Sequence, residues 1–147
     1  MSIVVEFESP SDYEEDNEDN DPNPYIKISD PDEDIENQLK PDEIVIPMKK
    51  IRVVYDYPLT KAVEFEFESD NYKGFTRAHL AKSISNGYKK IYKDEEKDVG
   101  KTNNIPGIFN RKKSNGRYGI WGHHIEDLVL RQVTQVKDNL FELVVDS

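Results

Sequence analysis

The sequence predicts an α+β domain: a four-stranded antiparallel sheet made of two hairpins, one long helix packed on a face of it, and an acidic, flexible arm in front. Three features of the chain point there. Apolar residues alternate in paired runs, they recur at helical spacing in the stretch between those pairs, and the acidic excess is concentrated ahead of them.

Residues 1–43 hold sixteen Asp and Glu against Lys27 and Lys40, a net charge of −14, while residues 44–147 hold 18 basic and 14 acidic residues, a net +4. The overall −10 therefore divides into an acidic arm, 1–43, and a mildly basic compact domain, 44–147. The stretch SPSDYEEDNEDNDPNPY has too little apolar surface to offset the entropy of ordering it, so the arm reads as largely disordered. Within it SIVVEFE alternates like a short strand. YIKI and, at the boundary, EIVIP are apolar islands able to dock on the body or on a partner. Ser11 and Ser29 each have an acid three positions on, the pattern that acid-directed kinases select.

The body opens with KIRVVYDYPL and KAVEFEFES, joined around Pro58 to Lys61. The second run alternates strictly, Val63, Phe65 and Phe67 against Glu64, Glu66 and Glu68, which predicts a hairpin with one wet face. Thr76 then caps a helix, with Phe75 placed to staple onto Leu80. Leu80, Ile84, Tyr88 and Ile91 carry that helix to about Lys97. GKTNNIPGIFNRKKSNGRYG is a long loop, a kind that is more often functional or disordered than idle. In HHIEDLVLRQVTQVKDNLFELVVDS a helical stripe competes with a second hairpin. The β-branched residues Val129, Val133, Thr134 and Val136, and Asp138-Asn139 before LFELVV, favour a short helical turn near residues 123–127 followed by two strands.

The absence of cysteine excludes disulfides and thiolate chemistry and points to an intracellular protein, cytoplasmic or nuclear. No apolar run approaches the ~20 residues of a membrane helix, so no membrane association is expected. No phosphate loop, nucleophile elbow or dinucleotide turn is present, and the expected chain is not an enzyme and carries no metal and no cofactor. The metal-ligand types that do cluster are His123, His124, Glu126 and Asp127. His123 and Asp127 share a helical face, with His79 as a third donor, which leaves a metal-dependent enzyme as the least favoured reading.

The basic residues are better organised. Lys82, Lys89 and Lys93 follow one helical stripe, and the loop adds Arg111, Lys112, Lys113 and Arg117, with Tyr118 and Trp121 available for stacking. With His123 these residues are the candidate binding set. The stretch GRYGIWGHHIEDLVL, which contains the single tryptophan, reads as a tight corner plugging one end of the core; exposure of Trp121 would favour a binding site instead.

YDYPL, GFTRAHLAKSISNGYKKIYKDEE and RYGIWGHHIEDLVL together resemble a small uncharacterised protein family of giant DNA viruses of amoebae and some eukaryotes. The likeness covers residues 51–145 and departs at His124, where the family pattern implies an acidic residue. It implies a viral origin, in a host cell or a virion, and no activity. The function expected from the residues is a non-enzymatic, intracellular protein-binding module with a protein partner of basic character. The alternative is a nucleic-acid-associated protein whose basic face is masked by the acidic arm.

Overall fold

The computed structural model of the chain describes residues 3–7, 25–36, 40–99, 116–121 and 124–146. Alternation is expressed directly in β4 (Lys50–Tyr55) and β5 (Val63–Glu68), which pair antiparallel from Lys50 opposite Glu68 to Tyr55 opposite Val63. Ile51, Val53 and Tyr55 face the core, and Glu64, Glu66 and Glu68 face water. The second hairpin is β7 (Val129–Lys137) and β8 (Leu140–Asp146), turned at Asp138-Asn139. Asp138 takes a φ of +50°, a left-handed angle that aspartate tolerates and that a tight hairpin requires.

Between the hairpins, Phe75–Thr76 forms β6 and runs into the helix α2, Arg77–Val99. Thr76 Oγ1 accepts the His79 amide at 3.0 Å, which satisfies one of the free donors of the first turn. Leu80, Ile84, Tyr88 and Ile91 are fully buried against the sheet. Gly87 in mid-helix has a packing reason: the Tyr55 hydroxyl stands where its Cβ would go and donates to the Ile84 carbonyl at 2.9 Å. The rings of Tyr88 and Phe65 meet that of Tyr55 edge-on at 4.7 and 5.3 Å. Burial pushes the Tyr55 and Tyr88 phenols well above their ordinary pKa.

The sheet is larger than the four antiparallel strands expected. It has six strands among the described residues: β1 (Val4–Glu6), then β7, β8, β4 and β5 in order, with β2 (Ile26–Lys27) also on β7, and β8 runs parallel to β4. The parallel pair follows from the connection: the chain crosses a face as α2 and re-enters on the far side of β4, the crossover that parallel strands need.

The extra strands come from the first 43 residues, so the described part of the expected arm belongs to the fold. β1 (Val4–Glu6) and β2 (Ile26–Lys27) both pair antiparallel with β7. Glu6 stands opposite Gln132 and Ile26 opposite Leu130, so Arg131 alone separates them on β7 and the two act as one edge strand. Val5, Phe7, Ile26 and Ile28 are buried at 2% exposure or less. Each contributes roughly 1.5–3 kcal/mol by leaving water, which is why apolar islands in an acidic context still enter the core. A short helix α1 (Asp32–Glu36) follows, and β3 (Ile44–Ile46) pairs with β6. Arg77 binds these pieces to the start of α2, donating to the Glu6 and Lys40 carbonyls and to the Glu43 carboxylate. Residues 8–24, the most acidic part of the expected arm, lie outside the described residues. Among the described residues no helix is long and apolar enough to cross a membrane.

Two deletions separate these roles. Removing residues 1–28 takes away four buried side chains, about 6–12 kcal/mol of apolar burial against a typical stability of about 5–15, so the domain should no longer unfold cooperatively at 37 °C. Replacing residues 8–24 with a linker of about four residues should leave the melting temperature within a few degrees, because loop closure depends only weakly on length. Thermal melts by circular dichroism distinguish the two.

Candidate binding surface

Helical periodicity carries the core-facing stripe of α2 past Ile91 to position 95, where the residue is glutamate. Glu95 is fully buried. A carboxylate placed there must find donors, and its two oxygens accept three backbone amides of a single segment: Gly116 at 2.9 Å, Tyr118 at 2.9 Å and Gly119 at 3.2 Å. The segment wraps an anion in a concave nest of N–H groups, and the protein fills the nest with its own side chain. Gly116 has to be glycine because a Cβ would fall on the Glu95 carboxylate. Gly119 sits at a φ of +62°, which a side chain would strain.

Two further acids of the last turns hold the same segment. Asp98 takes the Arg117 amide at 2.9 Å and its guanidinium in a fork, Nε at 2.8 Å and Nη2 at 3.0 Å. Hydrogen bonds from the Arg117 side chain and then its backbone draw the Asp98 pKa down to about 2, and the same side-chain hydrogen bond, followed by the Asp98 charge, raises that of Arg117. Asp94 pairs with Lys90 at 3.1 Å, the contact that chiefly lowers its pKa, and stands 3.5 Å from the Tyr118 hydroxyl. Burial, then the Asp94 charge, raises the Tyr118 pKa.

The other side of the segment is bound to the β4–β5 connection. The Trp121 amide donates to the Pro58 carbonyl at 2.8 Å, Leu59 bridges Ile120, and the Thr60 amide and hydroxyl each donate to the Gly119 carbonyl at 2.8 Å. Ile120 is fully buried, and the next residue, Trp121, leaves 46% of its surface in water. Tyr57, on the paired segment, is also exposed.

The candidate residues thus fall into groups. Tyr118 is buried and packs into the core, and Arg117 is taken up by Asp98. Lys82 is held by Asp32 of α1 at 2.8 Å, a contact whose hydrogen bond, followed by the lysine charge, lowers the Asp32 pKa. Lys89 and Lys93 project to solvent, with no ion pair among the described residues. Trp121 is exposed on a fixed backbone. Arg111, Lys112, Lys113 and His123 lie outside the described residues. His124 is exposed and its amide donates to Asp127 at 3.1 Å, closing the turn Ile125–Asp127. His79 stacks on Phe75 at 5.1 Å between ring centroids and faces Asp70 at 3.9 Å. Among the described residues no three His, Asp or Glu side chains are grouped to hold a metal.

Glu95, Asp98 and Asp94 are not among the candidates that the sequence offers, since acids interleaved with lysines in KDEEKD have the composition of a solvated helix face. The signal in the sequence is register: Glu95 lies four residues beyond Ile91 on the apolar stripe. Comparison of the chain with protein-family models, with curated proteins and with solved structures found no match.

Glu95→Ala should destabilise the domain by about 2–4 kcal/mol in urea unfolding, because it leaves two buried amides and one part-buried amide without an acceptor. Sodium formate, which fits the emptied nest, should restore part of the loss, and sodium chloride at equal ionic strength should not. Acid gives a second check. Asp98 has a lowered folded-state pKa, so its contribution is complete above the ordinary carboxylate value near 4 and lost as pH falls through about 2. Stability should fall across that window in the wild type, and less steeply in Asp98→Asn.

Proposed function

We propose that the protein is a non-enzymatic, intracellular binding module whose protein-contact surface is centred on Trp121. The observation that carries this reading is the combination of a half-exposed tryptophan with a backbone held from both sides, by Pro58 and by the Glu95 nest. A large amphipathic ring with few rotatable bonds, carried on a backbone that is already fixed, loses less entropy on binding than one on a loose segment, and such residues dominate protein interfaces. The absence of cysteine supports an intracellular setting, and the net charge of −10 supports a partner of basic character.

A second reading rests on its own observation. Lys89 and Lys93 are exposed on the stripe that Asp32 already occupies at Lys82, as expected of a phosphate-binding face partly masked by an acidic segment of the same chain.

Trp121→Ala should leave the melting temperature within about 2 °C, because the ring is exposed. Used as bait in host-cell extract beside the wild type, the variant should lose the specific protein partners by tenfold or more; an unchanged partner set would remove Trp121 from the interface. For the second reading, Asp32→Asn should raise affinity for labelled DNA or RNA at low salt, and Lys89→Glu with Lys93→Glu should abolish it. No binding by either protein at low ionic strength ends that alternative.

A further inference from the structure

The sheet ends at β5, and among the described residues nothing pairs with its outer side. Every second residue of such an edge strand directs its N–H and C=O outward, a template that proteins usually blunt with a bulge, a proline or a lysine. β5 has no bulge, proline or lysine; its only charged guards are the three glutamates of its wet face, which repel acidic strands and leave basic ones, and its register with β4 is regular over all six residues. Its apolar side is incompletely covered as well. Ile51, Val53 and Tyr55 on β4 are fully buried, yet the residues opposite them, Phe67, Phe65 and Val63, are only half-buried. On the wet face Glu64, Glu66 and Glu68 form an exposed row, with Lys50 and Arg52 of β4 opposite Glu68 and Glu66 and the Arg52 guanidinium 3.2 Å from Glu64. Cations therefore flank this row on its inner side, while its outer side lacks them among the described residues.

We propose that the outer edge of β5 accepts an extended segment of a partner protein carrying lysine or arginine at alternate positions, with apolar residues between them. Main-chain bonds supply the docking, as in other strand additions, and the charge row selects the occupant. A second copy of this chain fits poorly, since two antiparallel β5 strands set glutamate against glutamate. A basic segment brings cations to the row while its apolar side covers Phe65 and Phe67. This surface is distinct from the one around Trp121 and shares with it only that the partner is a protein.

The test uses the full chain and a labelled, end-capped peptide of alternating lysine and valine, about eight residues long to span β5, followed by fluorescence anisotropy at low salt. Saturable binding is expected, weaker by about tenfold or more for the glutamate–valine counterpart. Glu64→Lys with Glu66→Lys and Glu68→Lys should reverse the preference; all three sites are exposed, and a melting curve verifies folding. Of two peptides N-methylated on alternate backbone amides, one set should lose binding and the other keep it. Absent binding overturns the proposal, as does equal binding by both N-methylated peptides, which would indicate charge alone, or a concentration-dependent dimer that these peptides do not compete with. Trp121→Ala, run in parallel, should bind the lysine–valine peptide like the wild type, so failure at one surface is distinguishable from failure at the other.

Discussion

One buried carboxylate fixes the backbone of the segment that carries the half-exposed Trp121. Glu95 lies on the core-facing stripe of α2, where an isoleucine would pack without polar demands, and it is tolerated because the amides of Gly116, Tyr118 and Gly119 converge on it. The chain leaves α2 at Val99 and is gathered again at Gly116 against the same helix. From there the path to Trp121 is determined, since Tyr118 and Ile120 enter the core and the Pro58 carbonyl takes the Trp121 amide. An unpaired carboxylate at this depth would cost several kcal/mol, so the nest and the helix depend on each other.

Both hairpins and α2 were legible in the sequence because each expresses one period over many residues. The alternation from Val63 to Glu68 and the stripe from Leu80 to Ile91 leave little choice of partner face. β1 and β2 were harder to read. They are three and two residues long, and the seventeen residues 8–24 interrupt what is one edge along β7, so local composition outweighed a pattern that exists only in space. The parallel pairing of β8 with β4 depends on which side of the first hairpin the chain re-enters, which no local signal encodes. At the candidate site, Trp121 and the exposed Lys89 and Lys93 were visible as residue types. That Arg117 and Tyr118 are consumed by Asp98 and by the core was not, because their partners lie about twenty positions away.

The charge distribution also changes meaning once the chain is folded. An acidic arm ahead of a basic body describes the sequence, but two of the described acids of residues 25–43 are paired with the body: Asp32 with Lys82 and Glu43 with Arg77. The residues between Phe7 and Tyr25 carry eight acids and no base, and both flanks reach β7, where Arg131 stands near the Tyr25 ring and pairs with Asp146. The residues between Val99 and Gly116 carry four bases and no acid, and both flanks are held by Asp98 and Glu95. Opposite charges thus enter and leave the fold at two separate anchored points.

The most direct measurement is amide hydrogen exchange, residue by residue, in the folded protein and in Glu95→Gln. If the carboxylate holds the segment, the amides of Gly116, Tyr118 and Gly119 exchange as slowly as those in the core of α2, and all three lose protection together in the variant while the β4–β5 ladder keeps its own. Fast exchange of these three amides in the wild type, with α2 still protected, would contradict it.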